Sequence, residues 1–164
     1  MEKVIKKSIP IFVVVMAFFA IANEEGSAER SSFGDPFTSL SLTKNIGHDG
    51  SERLYSAEIN LAKDNQKTIF IGYMANNVDV CEVGKSIKDE IYMVNGVPVE
   101  MVVDCYSSSQ GNESLAEANT QEGKNYLYEQ FYQEDLVLVD FSGGSITFNA
   151  KGFIKSWQLS NSRN

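Results

Sequence analysis

Histidine is almost missing from this sequence: His48 is the only one in 164 residues. Nucleophilic hydrolysis by serine or cysteine needs a base beside the nucleophile, and one histidine in the loop-like stretch Gly47-His48-Asp49-Gly50 offers no evident pairing. There is no G-x-S-x-G elbow either. Ser142-Gly143-Gly144-Ser145 reads as a hairpin turn leading into a strand, where an elbow leads into a helix. Cysteine is equally scarce, with Cys81 and Cys105 alone, and two thiols without a histidine partner make an incomplete metal ligand set. No glycine-rich loop opens a helix to cradle phosphate, and no aspartate ladder has EF-hand spacing. Basic residues are outnumbered, 14 Lys and Arg against 22 Asp and Glu, for a formal charge of −8. Such a surface repels a phosphate backbone, and the lysines do not cluster with stacking aromatics, so nucleic acid is not an expected partner. The residues assign no catalytic group, no metal and no cofactor. Strand carboxylates among Glu100, Asp104, Asp135 and Asp140 are the one set that glycoside hydrolysis could use, and solvated strand faces produce the same pattern.

Long apolar runs are few as well. The one that stands out runs from Ile9 through Ala22 behind Lys3, Lys6 and Lys7, ends in Ala20-Ile21-Ala22, and is followed by polar Asn23-Glu24-Glu25-Gly26. A basic start, a short apolar stretch and a small-x-small ending describe a secretory signal, here residues 1–22 with cleavage after Ala22. Its 14 residues fall short of the ~20 needed to span hydrocarbon, and no cysteine sits at the boundary for lipidation. The expected location is periplasmic or secreted, with no membrane span after cleavage. The segment carries a net +2, three lysines against Glu2, so the mature chain is left at −10. An even pair of cysteines in an exported chain points to a disulfide between Cys81 and Cys105, whose loop of about 25 residues would stabilise by about 3 to 3.5 kcal/mol on the chain-entropy argument.

What the chain does have is β-pattern. Hydrophobic content is 43%, with ten Phe, seven Tyr and one Trp, enough for one domain with a real core. Residues 90–106, EIYMVNGVPVEMVVDCY, spell a hairpin about Asn95-Gly96, the pair that best tolerates two positive φ angles. That loop puts Tyr92, Val94, Val97, Val99, Met101, Val103 and Cys105 on one face and a mixed set on the other. A second hairpin is expected about Gly143-Gly144, pairing Phe141 with Ile146, Val139 with Phe148 and Val137 with Ala150. Between and before them, residues 54–61 alternate as a half-buried strand, 67–74 read as a central strand apolar on both faces, and 37–42 and 78–81 as short strands. Residues 107–123, SSSQGNESLAEANTQEG, read as a long polar loop with one helical turn over 113–119. Helical spacing over 124–134 pairs Leu127 with Phe131 and Tyr128 with Tyr132, strand spacing aligns Tyr126, Tyr128 and Tyr132, and helix is the favoured reading. A short helix after Gly152 would place Phe153 one turn from Trp157. Residues 23–36 read as a flexible leader and residues 37–164 as a single β-sandwich domain. The expected fold is all-β, a mainly antiparallel β-sandwich or flattened barrel with one or two short helices.

The tyrosine-rich group Tyr126, Tyr128, Phe131 and Tyr132 beside the polar loop is the candidate partner surface, because tyrosine brings large contact area at low entropic cost and keeps a polar end. The tail Ser145-Ile146-Thr147-Phe148-Asn149-Ala150-Lys151-Gly152-Phe153, behind a hairpin and ahead of a short amphipathic end, resembles the closing segment of invasion-associated locus B type proteins. It covers nine residues of the mature chain, and the additional cysteines near the end of many relatives are absent. The resemblance implies a small exported bacterial β-protein of the cell envelope and transfers no catalytic residue. The functional expectation is an exported, non-enzymatic envelope protein that binds a protein partner or supports an envelope assembly. The alternative is an acidic inhibitor or immunity protein against a basic envelope-active enzyme or toxin, whose encounter the negative charge would steer.

Overall fold

The computed structural model describes residues 29–30, 40–46, 50–76, 78–108, 111–142 and 144–160. The signal segment, most of the leader and His48 lie outside them. The described chain forms β1 (Glu29–Arg30), β2 (Leu40–Ile46), β3 (Glu52–Leu61), β4 (Lys67–Ala75), β5 (Ser86–Val94), β6 (Val97–Ser108), β7 (Gly111–Ala118), α1 (Gln121–Gln133), β8 (Leu136–Phe141), β9 (Gly144–Asn149) and α2 (Phe153–Leu159). All strand pairs are antiparallel, and the nine strands make one sheet in the order β1-β2-β3-β4-β7-β6-β5-β8-β9. The fold is thus mainly antiparallel β with two short helices, a single sheet curled nearly into a barrel.

The first hairpin has the register its turn dictates. Val94 pairs with Val97 and Tyr92 with Val99, and Asn95 and Gly96 have φ of 47° and 81°, both positive as a type I′ turn requires. Tyr92, Val94, Val99, Met101, Val103 and Cys105 are buried, while Val97 at the tip is exposed. The second hairpin turns one residue earlier than expected. Phe141 pairs with Gly144, Val139 with Ile146 and Val137 with Phe148, two residues out of the expected register. Because a strand repeats every two residues, an even slip keeps each side chain on its face, and Val137, Val139, Ile146 and Phe148 are all buried.

The polar stretch after residue 107 is where the structure departs most from the sequence reading. In place of a loop with a helical turn, β6 continues to Ser108 and β7 returns beside it. This strand is central: Ala116 pairs with Ile71 of β4 on one side and Val103 of β6 on the other. Only Ala116 and Ala118 of β7 are buried, and they lie beneath α1, where small residues let helix and sheet approach. A Cβ on Gly123 of α1 would come 3.2 Å from the Ala118 Cβ. On the convex face Gly72 of β4 serves the same end, since any side chain there would strike Ser56 Oγ and crowd Leu115. Residues 78–81 contribute only an isolated bridge from Val78 to Ala75.

The concave face carries the core. Leu127 and Phe131 of α1 and Phe153 of α2 join Ala57, Ile59, Ile69, Ile71, Val99, Met101, Val137, Val139 and Phe148 in one buried cluster that extends to Tyr55. α1 is set by Thr120, whose hydroxyl accepts the Gly123 N–H at 3.0 Å, and it buries Leu127 and Phe131 as helical spacing requires. The two helices close the end of the barrel marked by Ile59, Ile69, Ala118 and Val137. Lys67 holds α2 there: its ammonium donates to the Trp157 carbonyl and sits 4.3 Å from the Trp157 ring centroid. Where the curled sheet meets itself, Ser41 and Thr43 of β2, both fully buried, donate from their hydroxyls to the Asn149 and Thr147 carbonyls of β9. The sheet therefore closes by hydroxyl-to-backbone bonds rather than a ladder, which covers an edge that would otherwise be open.

Candidate functional site at the open end of the barrel

Away from the helices, the strands end at a mouth lined by aromatic rings. Tyr55 and Tyr73 stack with centroids 5.0 Å apart, Tyr92 and Phe141 stack at 5.1 Å, and Phe141 meets Tyr55 and Tyr73 edge-on. Strand pairing brings them together, since Tyr55 and Tyr73 are cross-strand partners while Tyr92 and Phe141 come from the two strands whose seam adjoins the mouth. A cavity of about 150 Å³ opens here, bounded by Tyr73, Tyr92, Val103, Phe141, Cys81 and Ile87, with Glu90, Ser114 and Ser142 as its polar groups. Burial, together with the Glu90 charge, pushes the Tyr92 phenol up to about 12, and burial beside Tyr73 raises that of Tyr55. Both hydroxyls therefore stay protonated at neutral pH.

Cys81 and Cys105 form a disulfide across the rim, with Cα atoms 5.9 Å apart. It ties the loop between β4 and β5 to β6. The Asn112 side-chain amide donates to the Cys81 carbonyl at 3.0 Å, and Gly84 N–H donates to the Cys105 carbonyl. The rim is thus a fixed arc.

The seam next to this rim is short. β5 and β8 pair only at Met93 with Asp140 and Val94 with Val139, extended by the Asn95 N–H to the Leu138 carbonyl and the Leu138 N–H to Asn95 Oδ1. Beyond Met93, β8 ends while β5 runs on to Ser86. Among the described residues no strand covers that side of β5 from Ser86 to Ile91. Ile87, on the same face as buried Val103, is 54% exposed, and Ile91 is 48% exposed. A one-residue bulge between Ile87 and Glu90, with Asp89 at φ 62°, bends this edge.

The structure separates the four aromatic residues named from sequence. Phe131 is buried against Phe148 and Phe153 and offers nothing to a partner. Tyr126 is partly buried and donates from its hydroxyl to the Val94 carbonyl at 3.1 Å. Tyr128 is wedged among Tyr132, Phe153 and Trp157. Tyr132 is half exposed and borders a groove of about 390 Å³ between the end of α1 and the start of α2. Of the strand carboxylates, Asp104 is bound by Lys63 at 2.7 Å and by Ser86 Oγ, which hold its carboxyl below the usual range. Glu100 faces solvent on the convex side, Asp135 is exposed before β8, and Asp140 lies on the outer face of β8. These four do not converge on one cavity. Among the described residues no three of His, Cys, Asp and Glu are placed to share a metal ion, and no helix is long and apolar enough to cross a membrane. The mouth itself escaped the sequence reading, because Tyr55, Tyr73, Tyr92 and Phe141 belong to four strands whose order depends on where β7 inserts.

No family model, no curated protein and no solved structure matches this chain.

Proposed function

We propose that the protein is exported to the periplasm or beyond, and that it acts in the cell envelope without catalysis, by binding a protein partner. The observation that carries this reading is the uncovered β5 edge beside an aromatic mouth: unpaired backbone groups and exposed isoleucines gain nothing for the isolated chain and are what an interface uses. The export part rests on the N-terminal signal pattern, the disulfide and the tail resembling invasion-associated locus B type proteins. At the helical end Tyr132, half exposed with Tyr128 stacked on it, is a second candidate contact point, while Tyr126 lies on another side of α1. Purified protein with its disulfide intact, cross-linked in envelope extract, should yield a stoichiometric partner whose capture falls when Ile87→Lys or Tyr132→Ala alters one face or the other. Recovery of no stoichiometric partner contradicts the reading.

The formal charge of −10 on the chain after the signal segment favours a second version of it, in which the partner is a basic envelope-active enzyme or toxin that the protein inhibits. Charge steering would then make association faster at low salt. Stopped-flow mixing with basic muramidases tests this, and an association rate indifferent to salt, with no inhibition, excludes it.

A further inference from the structure

We propose that the free edge of β5 is a strand-docking site, where an extended segment of a basic partner protein adds to the sheet and inserts one apolar side chain into the mouth. This inference rests on the partner-binding reading above and states what the partner must look like.

The hydrogen-bond direction along β5 can be followed residue by residue. In an antiparallel pair successive residues point their N–H and C=O groups alternately to one neighbour and the other. Asn95 donates to the Leu138 carbonyl of β8, and Met93 is paired with Asp140 of the same strand. Ile91 follows in that alternation, so its N–H and C=O point to the β8 side, past the point where β8 turns away. Only another extended backbone presents donors and acceptors at the matching spacing. The same segment would run beside the cavity bordered by Ile87, Tyr92 and Phe141. The cavity, of about 150 Å³, is walled mainly by apolar and aromatic side chains with Glu90, Ser114 and Ser142 at its polar part; a volume of ~150 Å³ is of the size that takes a benzene-sized group, so one phenylalanine or branched aliphatic side chain suits it.

Two features define the occupant further. The charged residues of the bulged stretch of β5 itself are Lys88, Asp89 and Glu90, while Lys85, just before the strand, is paired with Glu82 at 2.5 Å. Acid thus outnumbers base there, on a chain that carries −10 without its signal segment, which suits a segment with flanking Lys or Arg. The bulge at Asp89 bends the edge, as natural edges do to discourage indiscriminate pairing. Filling the cavity is then what distinguishes a cognate strand from any other.

The test uses the full oxidised protein and synthetic nine-residue peptides of alternating valine and threonine with lysine at both ends. The central residue is phenylalanine, leucine or alanine, and a control peptide replaces lysine with glutamate. Hydrogen exchange resolved by residue should show the Ile91 amide slowed at least tenfold by the phenylalanine or leucine peptide. Binding should fall about tenfold or more with alanine at the centre or glutamate at the ends. Ile91→Pro removes the outward N–H without touching the β6 ladder and should abolish binding, and Ile87→Lys, at an exposed position, should do so by charge. If no peptide of the panel slows Ile91, or if Ile91→Pro binds as the wild type does, the proposal is overturned. A partner from the envelope that still binds Ile91→Pro and Ile87→Lys proteins overturns it too while leaving partner binding standing. Protection of Ile91 that grows with protein concentration alone, with a doubling of mass, assigns the edge to a second copy and likewise overturns it.

Discussion

Tyr92 lies on the floor of the mouth, and its pKa of about 12 makes a stability prediction with a definite sign. In the unfolded chain its phenol titrates near ~10, so between these two values the native protein holds more protons than the unfolded one. Stability then falls as pH rises through that window and is fully present below it. Urea midpoints followed from about pH 9 to pH 12 should drop by an amount worth on the order of 2 kcal/mol from this group. Tyr92→Phe should flatten that limb; an unchanged alkaline loss would mean that the phenol is solvated. At the other end of the barrel Thr120→Ala removes the acceptor for the Gly123 N–H and should cost about 0.5 to 2 kcal/mol in chemical unfolding. Asn95-Gly96 was the residue-scale signal that sequence carried without ambiguity, because positive φ at both turn positions selects so few residue pairs. Gly143-Gly144 carried less, since either glycine can take part in the turn, and its hairpin closed one residue early.

At the scale of elements, α1 is held by what it buries. Phe131 and Leu127 are nearly or fully inaccessible, and Phe131→Ala should destabilise by about 3 to 5 kcal/mol, measured by equilibrium urea unfolding. A cost under 1 kcal/mol would place that ring at the surface. The disulfide holds a different element, the loop into β5. Replacing Cys81 and Cys105 together by serine should cost roughly 2 to 4 kcal/mol and speed amide exchange between residues 78 and 85 more than in α1. Helix α1 was legible because Leu127 and Phe131 sit one turn apart, and β3, β4 and the first hairpin because they alternate or run apolar. Strand β7 was not. Its buried face is two alanines, residues of high helix propensity, and its other residues are those that loops use. What makes it a strand is the pair of neighbours it finds, β4 and β6, and no local pattern encodes neighbours.

For the whole molecule, β7 decides the architecture. Without it β3–β4 and β5–β6 would be separate ribbons to be stacked face to face; with it they become one sheet that curls until β2 meets β9. That curl gathers Tyr55, Tyr73, Tyr92 and Phe141 at one end and the helices at the other, and it leaves β5 longer than the strand beside it. The four mouth residues could each be read as strand positions from sequence, but their convergence is a property of strand order alone. The most direct measurement is a set of cross-strand contacts by NMR on isotopically labelled, oxidised protein. The backbone of Ala116 should show nuclear Overhauser effects to both Ile71 and Val103, its partners on either side. An Ala116 that contacts neither, with the chemical shifts of a loop or a helical turn over residues 111–118, would contradict the single curled sheet and remove the mouth built upon it.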